Sequence, residues 1–520
     1  MMLYAKYGFF ARLLAIVLCF CALTSLLVSC KRNEPLPSYP HEELTLQAPA
    51  SGLRAIIDPS SEVRGVYIAT VYNIDYPSKT NLPAAALQAE LDGIIDTVAS
   101  AGLNTVYFQV RPVCDALYKS ELFPVSEALT TSGKLTFDPL AYLVETAHQR
   151  NIFVHAWVNP LRVTLGTETK PQTDPALLPE GSPAKEHPDW TVAYADGRLY
   201  FDPALPEVRQ LIADGVREIV QNYNVDGVLF DDYFYPYPVT DEDGITAGFD
   251  DAASYAKYGG GRSLGDFRRD NVNQMIRLVY DTVKSVSEDV QFGVAPFGIW
   301  QNDNGRNGGS ATRGMESYKS IYCDPIAWAE GGYIDYIAPQ IYWRFSTSVA
   351  PFDELVRWWN RALDGTGVDL LISHAAYSYE DWLSPSGEMK KQIEYARDKI
   401  TYRGSIFYGY AEIRENLHAI TDELTDVYAD SVIYTDPSST GMGVQITSPV
   451  SGSTVHNAQV RLFGISSPDT PLTVNGEAVE RSRGGYFVIT AILKRGENVF
   501  VFEQDGQAYT YTIHRGEPQD

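Results

Sequence analysis

Two adjacent carboxylates, Asp231 and Asp232, close a short apolar run in the stretch 225–238, VDGVLFDDYFYPYP, and aromatics interleaved with prolines follow them. Val225, Val228, Leu229 and Phe230 suit a strand of a parallel sheet covered on both faces. Acids at the C-terminal end of such a strand lie where (β/α)8 barrels carry their active sites. Cleaving a glycosidic bond takes a proton donor for the leaving oxygen and a second carboxylate as nucleophile or base. Adjacent strand residues face opposite ways, which gives one acid to the barrel mouth and the other to a supporting bond with a loop or Arg162. Asp232 is the preferred catalytic member. The competing reading of this stretch alone is a solvated turn in which Tyr233, Phe234, Tyr235 and Tyr237 form a local cluster.

Other strand ends supply the rest of a mouth. Tyr72 follows the first strand, Gln109, Arg111 and Asp115 the second, and Trp157, Asn159 and Arg162 the third. Tyr233 follows the fourth, Trp300 the fifth, Gln340, Tyr342 and Trp343 the sixth, His374 the seventh and Glu412 the eighth. Amides, arginines and aromatics suit a polyol substrate, whose hydroxyls need dense hydrogen bonding and whose C–H faces stack on rings. Asp115 and Glu412 are the candidate partner acids, with Glu330 and Asp335 as further options; Asp335 precedes its strand and belongs at the opposite end. Each residue also has a structural reading. Arg111 can anchor an ion pair, His155 reads as a hydrogen-bonded core histidine, His374 divides evenly between packing and substrate, and Trp358 and Trp359 read as core.

The elements that must position these side chains follow a βα rhythm. Strands are predicted at 65–70, 105–110, 152–158, 225–230, 291–297, 336–342, 370–375 and 405–410, with helices over 87–99, 139–150, 206–222 and 352–363. Such repeats predict an α/β fold, a (β/α)8 TIM barrel over 61–420. An open doubly wound sheet is the rival, but no GxGxxG follows the first strand. The longest interruptions are 161–205, whose aromatics favour order, and 233–265, whose Gly259-Gly260-Gly261 and acids at 241–243 suggest the looser of the two. A linker is expected over 421–443. Over 444–516, alternating strands with turn signals such as Asn475-Gly476 and Asp505-Gly506 predict a small Ig-like β-sandwich.

A chain of 520 residues with 45% apolar content exceeds one ordinary domain. Its formal charge of −25 argues against nucleic acid or an anionic membrane surface as a partner. Lys6 and Arg12 precede an apolar run ending in Leu27-Val28-Ser29-Cys30, which resembles a lipoprotein signal peptide over 1–29 with Cys30 as the lipidated residue. A tether over 30–60 would join that anchor to the folded body, placing the protein in the cell envelope. No CxxC, HExxH or Cys/His cluster points to zinc, the acids are too loose a group to name another ion, and no cofactor is expected.

Six ordered motifs share a pattern: EVRGVY with Tyr72-Asn73, FQVRP at 108–112, HAWVNP at 155–160, the stretch 227–238, VAPFG at 294–298 and YIAPQIYW at 336–343. Together they resemble the glycosyl-hydrolase-like 10 family from about residue 62 to 415. Tyr67, Tyr72 and Tyr76 stand where that family usually has tryptophan, and Cys114 where glycine is common. The resemblance implies a TIM-barrel glycoside hydrolase of bacterial envelopes whose polysaccharide substrate is peptidoglycan glycan stripped of peptides. A lipid-anchored carbohydrate-binding protein without turnover is the alternative, and a scaffold presenting the β-sandwich is a third.

Overall fold

The computed structural model describes residues 62–516, apart from 149–151, 307, 379–386, 429–442, 449–450, 456–458, 468–469, 480 and 482–485. Cys30, with the expected signal peptide and tether, lies outside the described residues, as does 429–442 of the expected linker. Eight parallel strands close a barrel in chain order: β1 (Val63–Ile68), β2 (Thr105–Arg111), β3 (Phe153–Val158), β4 (Gly227–Phe230), β5 (Gln291–Val294), β6 (Tyr336–Ile337), β7 (Asp369–Ala375) and β8 (Tyr402–Tyr408). β8 returns to β1 with Val63 opposite Gly404. The β6 strand is shorter than the sequence suggests, and isolated bridges from Gln340 to Phe297 and Ser373 continue it.

Helices wrap the barrel because their apolar residues recur at helical spacing. In α1 (Ala84–Ser100), Leu87, Leu91, Ile94, Ile95 and Val98 are buried. Gly102 follows at φ 71, the left-handed position that a helix C-terminus requires. In α2 (Pro139–His148), Leu140, Leu143, Val144 and Ala147 are buried. Helix α3 (Pro206–Asn222) starts on a proline, whose missing N–H costs nothing at that position. Ser263 caps α4 (Leu264–Val286) by accepting from the Asp266 N–H. Trp358 and Trp359 of α6, Phe352–Leu363, are core as expected; α5 (Pro325–Gly331) buries Trp328. Each such side chain removed from water stabilises the fold by about 1.5–3 kcal/mol before ordering costs are counted.

The barrel interior depends on glycine. A Cβ on Gly65 would lie 2.5 Å from the Tyr107 ring, one on Gly227 2.3 Å from His155, and one on Gly293 2.3 Å from Tyr336. These three large rings therefore fill the lower lumen as one layer, with His155 Nδ1 and the Tyr336 hydroxyl 2.8 Å apart. Tyr67, Ala69, Trp157, Leu229, Ala295, Ala338, Leu371 and Ile406 pack above it. Walking up β4 at period two leads from Gly227 through Leu229 to Asp231.

Both long insertions are folded. The first carries a two-stranded sheet, Thr191–Ala193 with Leu199–Phe201. The second, expected to be the looser, buries Tyr235 and Phe249 against each other and holds Arg268 to Asp251 through two contacts of 2.7 Å. Its glycines and acids marked surface turns, while the apolar residues between them decided the packing. The start of the expected linker is also corrected. Helix Ile420–Tyr428 buries Ile420, Leu424, Val427 and Tyr428 in the barrel core, at the spacing of a helix face.

From residue 443 on, a three-stranded and a five-stranded sheet enclose a second core that includes Leu462, Phe487, Phe502, Tyr511 and Ile513. Asn475-Gly476 and Asp505-Gly506 take positive φ at both positions, as two-residue hairpin turns of the right-handed twist require.

Candidate active site

Asp231 and Asp232 are 4% and 2% exposed at the top of β4, a burial that shapes the chemistry of both carboxyls. Asp231 Oδ2 accepts from Trp157 Nε1 at 3.2 Å and from Asn159 Nδ2 at 3.1 Å. Its Oδ1 has a 3.4 Å contact from the Tyr233 N–H. Asp232 accepts a short hydrogen bond from the Tyr237 hydroxyl and is approached by the Gln340 side chain. Strand alternation gives Asp231 its inward direction. The strand itself ends at Phe230, so Asp232 lies beyond its alternation. Asp231 thus takes the inward direction, while Asp232 bonds a neighbouring loop through Tyr237.

Burial pushes Asp231 up to about 6 against the opposing pull of Arg162, Trp157, Tyr233 and Asn159. Burial and then the charge of Asp231 push Asp232 up to about 7, against the bonds from Tyr237 and Gln340. Two neighbouring buried acids whose affinities for a proton are both raised can hold one proton between them near neutral pH, one protonated and one ionised.

The third strand and its loop brace this pair. Asn159 Oδ1 accepts from the Arg162 N–H. The Arg162 guanidinium donates to the Pro112 carbonyl at 3.0 and 3.2 Å and lies 4.7 Å from the centre of the Tyr233 ring. Tyr67 bonds Ser373 Oγ at 2.8 Å and meets Trp157 edge-on at 5.3 Å. On the opposite rim, Tyr342 and Tyr408 stack within 17° of parallel, and Tyr377 meets both edge-on at 5.8 Å. Trp343 and Phe297 continue the aromatic wall. Tyr72 is 55% exposed at φ 53, a strained conformation for a bulky residue. Gln109 supports that turn by accepting from the Thr70 and Val71 N–H groups at 3.0 and 2.9 Å.

Several expected contacts lie elsewhere. Arg111 is fully buried, with its guanidinium 3.7 Å from the Phe123 ring centre and against Gly215 of α3, so it faces the helix layer. Asp115 sits with Arg111 and Ser126, where burial pushes it up to about 6. His374 is fully buried, bonded to Gln392 and Ser405 at 2.9 Å, and burial lowers it to about 4. Its position in β7 is an outward one. Trp300 stacks on Trp358 and donates to Asp324 at 3.1 Å, which makes it loop packing rather than a platform. Glu412 lies in the helix Tyr410–Arg414, beside Asp75 and Gly409. The residues that sequence reasoning missed at the mouth are Tyr67, Ser373 and Tyr408, with Tyr237 noted only as local packing. Strand alternation from Gly65 and Leu371 would have singled out Tyr67 and Ser373. Among the described residues, no cluster of three or more His, Cys, Asp or Glu could hold a metal ion.

Residues 62–386 match the profile of the family Glycosyl hydrolase-like 10. The chain belongs to this family. Its match ends before β8, although the barrel closes only with Tyr402–Tyr408. Glycosyl hydrolase YngK of Bacillus subtilis (strain 168) is 39% identical over 379 residues, covering 71% of this chain and 72% of the relative. Glycosyl hydrolase DigH of Escherichia coli (strain K12) is 39% identical over 400 residues, covering 72% and 87%. Among solved structures, the catalytic domain of a β-amylase from Paenibacillus polymyxa aligns with a TM-score of 0.46 at 10% identity, over 72% of this chain and 99% of that one. The protein is accordingly an enzyme of the glycoside hydrolase type.

Proposed function

We propose that this chain is an envelope-anchored glycoside hydrolase that cleaves peptidoglycan glycan strands. The observation that carries the reading is the buried Asp231–Asp232 pair, with its raised proton affinities, beneath an aromatic rim. Asp232 is the general acid. Asp231 is its ionised partner, oriented by Trp157 and Asn159. Tyr233, Gln340, Tyr342 and Trp343 position sugar at the pair, and Tyr72 extends the binding surface outward. The strain at Tyr72 supports this role, because a bulky residue held in the left-handed region costs roughly 1–3 kcal/mol and persists only where its surroundings impose it.

The signal-like run ending at Cys30 supports a lipid anchor with a tether to residue 60, on a periplasmic or surface-facing membrane. The two-sheet C-terminal body is taken as an Ig-like accessory domain, joined to the barrel by a linker that starts after Tyr428. Purified protein incubated with peptide-free glycan strands is expected to release new reducing ends. The Asp231→Asn, Asp232→Asn double variant is expected to release none. Either no release by the wild type, or equal release by the variant, refutes the reading. Membrane fractionation of Cys30→Ala tests the anchor, with retention in the membrane pellet as the refuting result.

A further inference from the structure

Two carboxylates that flank a glycosidic bond must approach the sugar from opposite faces, about 5–5.5 Å apart when one is the nucleophile or about 6.5–9.5 Å apart when one activates water. Asp231 and Asp232 are consecutive residues just beyond Phe230, so both belong to the β4 side of the mouth. Among the described lumen-facing residues in the upper half of the eight strands, Asp231 is the only carboxylate; β8 and β1 present Ile406, Tyr408, Tyr67 and Ala69 there. Asp75, beyond β1, spends one oxygen on the Ala69 N–H at 2.8 Å. Glu412 has Asp75 as a neighbour, and both are acidic neighbours of Tyr408, whereas those of Tyr67 are Asp231 and Asp232. Tyr67 and Tyr408, whose ring centres are 6.1 Å apart, thus stand between the acid pair and these two acids.

Asp231 also has acceptor capacity in reserve. Trp157 and Asn159 both donate to Oδ2, which leaves Oδ1 with a single long backbone contact. A fixed carboxylate with one open oxygen beside a proton donor suits a substrate N–H. We propose that the missing nucleophile is supplied by the substrate: the sugar whose bond breaks carries a 2-acetamido group, its carbonyl oxygen attacks C1, and Asp231 receives its N–H.

The inference rests on the glycoside hydrolase reading above and names the chemistry of the sugar that this site takes. Asp232 gives its proton to the glycosidic oxygen as the C1–O bond breaks, and the bonding pair leaves with that oxygen. The acetamido oxygen closes on C1 to form an oxazolinium ion, whose N–H charge is balanced by the Asp231 carboxylate. Water then attacks C1 and passes a proton to Asp232, while the C1–O bond of the ring returns its pair to the acetamide. The sum is hydrolysis, with both carboxyls restored and the anomeric configuration retained through two inversions.

A thiazoline analogue of a 2-acetamido sugar mimics the cyclic intermediate and needs no turnover to be read. Calorimetry is expected to show binding to the full-length protein and at least ~10²-fold weaker binding to Asp231→Asn, since such analogues draw on interactions made only along the reaction path. Absence of binding to the wild type overturns the inference whatever the natural substrate, and so does equal binding to both proteins. With glycan strands, NMR of the first product is expected to show retention, and strands stripped of N-acetyl groups are expected to be cleaved at least ~10³-fold more slowly. Inverted product, equal cleavage of the stripped strands, or loss of turnover in Glu412→Gln with inversion in the wild type overturns it. Failure of the wild type to cleave any glycan strand refutes the peptidoglycan reading instead, because analogue binding reports on the pair independently.

Discussion

The two ends of this barrel treat their acids in opposite ways. At the N-terminal end, Asp226 bonds His148 Nε2 at 2.7 Å and accepts from the Val154 N–H at 2.6 Å. Asp335 there pairs with Lys284 at 2.8 Å and accepts from the Phe292 N–H at 2.7 Å. Each of these acids ties a strand to its neighbour and has a basic group beside it. At the C-terminal end, Asp231 and Asp232 are more deeply buried and stand side by side, with Arg162 acting on Asp231. The difference separates acids that hold strands together from buried acids whose proton affinities are raised, as the proposed catalytic roles require.

The largest effect that tests this contrast is on turnover. Asp232→Asn is expected to lower kcat by about 10³-fold or more, because it removes the proton donor while preserving shape. Asp226→Asn, at the other end, is expected to keep kcat within about twofold. Comparable losses from both variants in a reducing-end assay would break the comparison.

Stability should move the other way. The folded state raises the proton affinity of both mouth acids, so between about pH 4 and 7 it binds protons that the unfolded chain has released. Stability from these groups is therefore present at low pH and lost as pH rises through about 6 to 7. Asp232→Asn is expected to raise stability at pH 8 by roughly 2–4 kcal/mol, with the gain vanishing near pH 4. Melting curves across that range read the result. Lys284→Met, by contrast, strands the partly buried Asp335 and is expected to cost about 1–3 kcal/mol at neutral pH, without loss of activity.

A subtler effect lies in the pH profile. The pair predicts a narrow bell for kcat/KM with limbs near 6 and 7. In Asp231→Asn the neighbouring charge is gone, so the upper limb is expected to move to lower pH, even as activity falls. An unmoved limb would detach Asp231 from Asp232. The smallest expected change is in Tyr72→Ala: an exposed ring at the rim should raise KM a few-fold with little change in kcat.

Much of this was legible in the residues themselves. Period-two runs and helical stripes marked the eight strands and the main helices, since burial against a neighbour imposes those spacings locally. The sequence also located the acid pair at a strand end, and its motif order was enough to suggest the family. Side-chain direction was less legible. Arg111, His374 and Trp300 looked like mouth residues, yet they face helices or loops, because a bulge after Gln109, an outward position in β7 and a stacking partner in α6 decide where they point.

What the sequence determined alone is the inventory: two consecutive acids after an apolar strand, three glycines that make room for rings, and tyrosines in quantity. What only the tertiary structure decided is that Trp157, Asn159 and Arg162 come from β3 to brace one acid, while Tyr237 and Gln340 close on the other. The physical reason is that a carboxyl's proton affinity depends on the water it has lost and on the charges and donors within a few ångströms. Those neighbours are set by barrel closure, which brings together strands far apart in the chain.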